Sequence, residues 1–103
     1  MKIIWSENAS ETVKETAEYI QKEIGTNAKK KFMAKIAHVV SVLKYNPLMG
    51  IKDPYCKNLP VEYRSVRVSK LNRIVYYIWK QQIVIAAFRD CRRDPDTFVN
   101  DVI

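Results

Sequence analysis

Arginine is the residue type that gives this chain its chemical reach. Arg64, Arg67 and Arg73 punctuate the dense apolar strands of the C-terminal third, which are followed by Arg89-Asp90-Cys91-Arg92-Arg93-Asp94-Pro95. A guanidinium is always charged and presents a planar fork of donors that fits phosphate oxygens. A cluster of them can grip a nucleic-acid backbone or stabilise a charged phosphoryl transition state. The candidate site residues are Arg64, Arg73, Arg92 and Arg93, from three elements that a strand meander would bring together. The competing reading is that these arginines pair with Asp90, Asp94 and Asp96 or decorate a solvated sheet edge.

Other chemistries are poorly provided for. The only glycines are Gly25 and Gly50, so neither a P-loop nor a dinucleotide-binding glycine pattern is present. The single histidine, His38, falls mid-helix beside an apolar stripe and reads as a packing or surface residue, so neither a Ser-His-Asp triad nor a histidine-rich metal centre is available. No metal and no cofactor are expected. The glutamates of the first helical segment fall mostly on its solvated face, which leaves no carboxylate pair for glycoside-type chemistry. Cys56 and Cys91 lack CxxC spacing and read as two reduced thiols.

Charge is distributed unevenly. The 103 residues carry a net charge of +7, yet the stretch 7–24 is acidic, with Glu7, Glu11, Glu15, Glu18 and Glu23 against Lys14 and Lys22. The stretch 25–93 is basic, opposing only Asp53, Glu62 and Asp90 to its lysines and arginines. A field of that sign suits nucleic acid, an acidic protein or an anionic surface. Lys29, Lys30, Lys31 and Lys35 have the simpler alternative of solvating one helix face. No run reaches the roughly 18 apolar residues of a membrane span, and no signal-peptide pattern opens the chain, so a soluble, cytoplasmic protein is expected.

The elements that must position the arginines follow from periodicity. An apolar content of 48% over 103 residues supports one compact domain spanning 1–103. Residues 1–5 read as a strand. Asn8 with Glu11 has the form of a capping box, and Ala9, Val13, Ala17, Ile20 and Ile24 recur at helical spacing until Gly25 closes the helix in the left-handed position. Thr26 or Asn27 caps a second helix with Phe32, Ile36, Val39, Val40 and Leu43 on its apolar stripe, and Asn46-Pro47 ends it. The short link makes the two helices a hairpin. Residues 47–61, with three prolines and Gly50, read as a loop.

Strands over 63–68, 73–79 and 83–89, joined by short turns, form an antiparallel meander. In the middle strand Ile74, Tyr76 and Ile78 share one face, on which the helical hairpin should pack. Arg73, Val75, Tyr77 and Trp79 share the other, which becomes the expected working face. Asp94-Pro95 starts a short C-terminal helix that returns Phe98 and Val99 to the body. The expected fold is α+β, a small antiparallel sheet in the order β-α-α-β-β-β with a short C-terminal helix and a helical hairpin on one face.

In order and spacing these segments resemble the RelE/ParE toxins of bacterial type II toxin-antitoxin systems. The resemblance is carried by Ile3-Ile4-Trp5-Ser6 running into Asn8-Ala9, Tyr19-Ile20, Asn46-Pro47 with Gly50, Tyr63-Arg64-Ser65-Val66, Asn72-Arg73-Ile74-Val75-Tyr76-Tyr77 and Arg92-Arg93-Asp94-Pro95. It implies a growth-inhibiting toxin silenced by a cognate antitoxin, usually encoded beside it, in a toxin-antitoxin hetero-oligomer. Exposed apolar residues between Leu48 and Leu59, or on the first helix, would be the antitoxin contacts.

The resemblance implies two possible targets. RelE-like members cleave messenger RNA on the ribosome, and in them Arg73 and either Arg92 or Arg93 would hold the scissile phosphate. ParE-like members poison DNA gyrase without being nucleases. The ribonucleases commonly use a C-terminal tyrosine or histidine for proton transfer, whereas this chain has Phe98 near that place and neither residue type after Tyr77. A phenyl ring cannot exchange a proton, which favours the ParE-like, non-enzymatic branch. Glu62, Lys70 or Asp90 would be substitutes in a ribonuclease. A member that keeps only antitoxin or nucleic-acid binding is the third alternative.

Overall fold

The computed structural model describes residues 1–53, 56 and 58–90. Its elements are β1 (Lys2–Trp5), α1 (Glu7–Glu23), α2 (Thr26–Tyr45), β2 (Ile51–Lys52), β3 (Arg64–Arg67), β4 (Asn72–Trp79) and β5 (Gln82–Asp90). They form a five-stranded sheet in the order β1-β5-β4-β3-β2, with the α1/α2 hairpin on one face. The expected α+β architecture is borne out. The expected C-terminal helix lies outside the described residues.

Two features of the sheet depart from expectation. β1 runs parallel to β5, so the sheet is only mostly antiparallel. Ser6 carries this pairing into the helix: its N–H extends the strand ladder to the Ile85 carbonyl at 2.9 Å. Its hydroxyl donates to the Ala86 carbonyl and accepts from the Ala9 N–H, both at 3.0 Å. Ser6 is therefore the N-cap, and the capping box expected at Asn8 does not form because the helix has already begun at Glu7. The second departure is β2, a two-residue strand paired with β3 inside the segment expected to be a loop. Two residues are too few to show a period.

The helical turn also differs in detail. Thr26 and Asn27 lie inside α2, and Gly25 occupies the N-cap with no side-chain bond. Its φ of 133° and ψ of 173° fall in an extended region that only glycine adopts readily, rather than the left-handed helical one. That conformation lets the chain reverse between α1 and α2 almost at once, with the Gly25 N–H still bonded to Ile20 and its carbonyl already accepting from Lys29.

The main core lies between hairpin and sheet. Ala9 and Val13 of α1, Ile36 and Leu43 of α2, Ile74 and Tyr76 of β4, and Ile83, Ile85 and Phe88 of β5 are buried together. Phe32 meets Phe88 edge to face, with ring centroids 5.7 Å apart. The spacing 83, 85, 88 breaks strict alternation because Val75 pairs with Ala87 while Tyr76 pairs with Ile85. Ala86 is the extra residue of a bulge, which lets Phe88 reach the helical side of the sheet.

The opposite face is partly roofed. Cys56 and Tyr63, with Leu59 and Val61 beside them, cover Val75, Ala86, Ala87 and Tyr77 in a second cluster. Among the described residues, the expected working face is therefore left uncovered only toward the end that carries Arg67 and Arg73. Among the described residues no helix is long and apolar enough to cross a membrane.

Candidate functional site

The strand register sets three arginines in line. Arg67 of β3 pairs with Arg73 of β4, and Arg73 pairs with Arg89 of β5. Directly paired residues share a face, here the one opposite the helices. Side chains opposed in this way are about 5 Å apart at Cβ, and like charges there repel. The row must be held together by something other than its own chemistry.

Asp53 supplies part of that compensation. Its carboxylate meets the Arg89 guanidinium at 3.4 Å, with the two side chains only 1% and 12% exposed. The Asp53 N–H, bonded to the Tyr63 carbonyl at 2.9 Å, fixes the loop that delivers it. Arg73 has a weaker tie, donating to the buried Ser65 hydroxyl at 3.3 Å. Arg67 is exposed, and neither Arg67 nor Arg73 has a carboxylate partner among the described residues.

Cys56 sits beside this ion pair. Burial, followed by the neighbouring Asp53 carboxylate, pushes its thiol up to about 11, with Arg89 opposing the shift. Such a thiol is neutral and unreactive at physiological pH. Because its pKa is raised on folding, its contribution to stability is intact below the ordinary value of 9.0 and is lost as pH climbs from there through 11. Stability should therefore decline above pH 9, and Cys56→Ala should flatten the first part of that decline. Thermal unfolding of the two proteins across the alkaline range would detect it, and identical curves would contradict it.

Arg64 is placed elsewhere. It pairs with Tyr76, whose side chain is in the helical core, and so stands on the face opposite Arg73. Its guanidinium donates to the Gly50 carbonyl at 2.8 Å and meets Glu62 at 3.0 Å. These contacts staple β2 and its leading loop to β3. Arg92, Arg93 and Phe98 lie outside the described residues. The structure thus does not unite Arg64 with Arg73, and it sets Arg67 and Arg89 beside Arg73 instead. Parity along the strands hinted at Arg67, but nothing in the sequence placed the bulge that brings Arg89 into line.

The remaining candidates are also located. His38 is exposed on α2, Glu62 is engaged by Arg64 and Lys52, and Lys70 projects from the β3/β4 turn. No group of three metal-ligating side chains occurs among the described residues. On the hairpin, Trp5, Val13, Ala17, Met33, Ile36 and Val40 line an open apolar groove of about 590 Å³ edged by Lys14, Glu18 and Lys29. A second apolar patch is formed by the successive exposed residues Leu48, Met49 and Ile51.

Residues 3–95 match the family described as the ParE toxin of the type II toxin-antitoxin system, parDE. The chain belongs to this ParE toxin family. Solved structures agree on the fold. A chain of the chromosomal ParDE system from P. aeruginosa aligns with a TM-score of 0.71 at 16% identity, covering 87% of this chain and 95% of that one. The YoeB dimer from Staphylococcus aureus aligns at 0.62 and 26% identity, covering 86% and 94%. YoeB in the heterotetrameric YoeB-YefM toxin-antitoxin complex of the same organism aligns at 0.56 and 27%, with the same coverage. No curated protein matches significantly. As a ParE family member, the chain is the toxin component of a type II toxin-antitoxin system.

Proposed function

We propose that this toxin arrests growth by binding an essential target such as DNA gyrase, without cutting RNA, and that an antitoxin silences it by docking on the helical hairpin. The observation that carries this reading is the ParE family match over nearly the whole chain. The side chains around Arg73 support it. Ser65 offers only a hydroxyl, Asp53 is committed to Arg89, and no tyrosine or histidine follows Tyr77 in the sequence. A nuclease would need a proton acceptor and donor there.

The hairpin groove supports the antitoxin half. Its apolar walls and lysine edges suit an amphipathic acidic segment that folds as it binds. The structural neighbour solved as a heterotetrameric toxin-antitoxin complex gives a parallel for such an assembly. A ribosome-dependent ribonuclease is the second reading, favoured by the guanidinium pair at Arg67 and Arg73, with Arg92 or Arg93 as further phosphate contacts.

Inducing the chain without its antitoxin is expected to stop growth, with a DNA-damage response and intact messages. Co-expression of the antitoxin should restore growth. Messages cut in ribosomal A-site frames would replace the gyrase reading with the ribonuclease. Unimpaired growth would leave only the third alternative, a binding protein without toxicity.

A further inference from the structure

We infer that one end of the sheet is a binding surface for single-stranded nucleic acid, formed by Trp79 and Lys80 at the β4/β5 turn, Lys2 of β1, and Lys44 and Tyr45 at the close of α2. It lies apart from the arginine row, because Trp79 and Arg73 are six residues apart on β4, about 20 Å along the strand. The inference holds whichever target the toxin inhibits.

Three segments distant in sequence meet here. Lys2 pairs with Gln82 of β5, and Gln82 pairs with Trp79 of β4, so the three lie in one cross-strand row. The Met1 amino group donates to the Lys44 carbonyl at 3.2 Å, which sets the last turn of α2 against the start of β1. From Tyr45 to Lys80 the surface is a strip on the order of 15–20 Å long. Both aromatic rings stand out from the body, Trp79 being 54% and Tyr45 76% exposed. Each has a lysine beside it: Lys80 Nζ is 5.8 Å from the Trp79 ring centroid, and Lys44 Nζ is 5.9 Å from that of Tyr45. Lys2, Lys44 and Lys80 are exposed, and among the described residues no carboxylate pairs with them.

The turn gives the strip a rigid mount. Lys80 and Gln81 have φ of 48° and 62°, the left-handed region that a two-residue hairpin turn requires and that Asn-Gly fills most easily. Lysine and glutamine hold it with backbone strain, and the conformation fixes an ammonium at the tip beside an exposed indole. Bases stack on such rings whatever their sequence, while neighbouring lysines take the phosphates. Protein interfaces have a different make-up, in which aromatic anchors are enriched and lysine is depleted. A duplex keeps its base faces inside the stack and would meet only the lysines. An acidic peptide would likewise leave the rings without stacking partners.

The test uses the full chain and fluorescent ten-nucleotide single strands, one deoxy and one ribo, read by anisotropy at several salt concentrations. Trp79→Ala should weaken binding by about tenfold without changing the slope of log affinity against log salt, since it removes stacking and no charge. Trp79→Phe should stay within about threefold, and Tyr45→Ala should lose about fivefold. Tyr45 is the more exposed of the two, so its variant decides the matter should Trp79→Ala unfold. Lys80→Gln should reduce the salt slope by about 0.7. Lys22→Gln, the same loss of charge in the last turn of α1 at the far end of the hairpin, should stay within about twofold. Tighter binding of the ribo strand would assign the surface to RNA, tighter binding of the deoxy strand to DNA, and equal binding to either. Wild-type affinity in a folded aromatic variant, an equal loss in Lys22→Gln, or a ten-base-pair duplex bound as tightly as the strand would overturn the inference. Displacement of the strand by polyglutamate at matched charge would also overturn it, in favour of an acidic protein segment.

Discussion

Asp53→Ala is expected to destabilise the protein by about 3–5 kcal/mol, because it removes a carboxylate from the Arg89 guanidinium in a site that is nearly closed to water. The pair on its own is a modest source of stability, since both ions were desolvated to form it. Removing one member is different, for the other then keeps its desolvation penalty without its partner. Here the loss is aggravated by Arg73, whose charge stands directly opposite Arg89 in the sheet. A domain of this size has about 5–15 kcal/mol in total, so the variant should unfold at much lower urea. Removing Arg89 as well should recover part of the loss, giving a positive coupling in a double-mutant cycle. A change below about 1 kcal/mol in Asp53→Ala would mean that the pair behaves as a solvated surface bridge.

Tyr76→Phe should have the next largest effect, about 2–3 kcal/mol, through hydrogen bonds rather than charge. The Tyr76 side chain is fully buried, and its hydroxyl donates to the Pro47 carbonyl at 2.8 Å while accepting from the Gly50 N–H at 2.9 Å. Deleting one oxygen leaves both backbone groups unsatisfied at the point where the chain turns from α2 into β2. Arg64, which holds the Gly50 carbonyl, has donors only and cannot accept from the freed Gly50 N–H. The ring is packed so closely that a Cβ on Gly50 would come within 2.6 Å of the hydroxyl, so this position must remain glycine. Equilibrium unfolding gives the magnitude, and amide exchange at Gly50 gives the site. Unchanged protection of that amide would show that the bond contributes nothing. Burial also raises the phenol above its ordinary value of 10, opposed by the Gly50 N–H and Arg64. Its contribution to stability is thus present below pH 10 and lost above, a decline that Tyr76→Phe should remove.

The helical hairpin and the three-stranded meander were legible because each carries a long, repeated signal. The stripe Phe32, Ile36, Val39, Val40, Leu43 and the alternation Ile74, Tyr76, Ile78 need no knowledge of partners, since burying one face dictates the period. β2 was not legible, because its two residues are a strand only by virtue of pairing with β3. Nor was the helix start: Asn8 and Glu11 had the right local chemistry, but Ser6 was preferred once parallel pairing to β5 carried it to the helix mouth. The site was legible in residue type and only partly in position. Arg73 was marked on the outer face, but Arg64 was grouped with it although its register with Tyr76 puts it on the other.

What the sequence determined by itself was local or compositional: the α+β class, a basic body, an arginine-rich sheet, and membership in a toxin family. What only the tertiary structure decided was which arginines meet. The tight turn at Lys80 and Gln81, both at positive φ, starts β4 and β5 in a register that would bring Phe88 opposite Arg73. The bulge at Ala86 shifts that register by one residue, sending Phe88 to the helical core and Arg89 into line with Arg73 and Arg67. Packing of a single phenyl ring against the helices thus sets the charge row on the opposite face, and a demand made by the whole core leaves no local mark in the sequence.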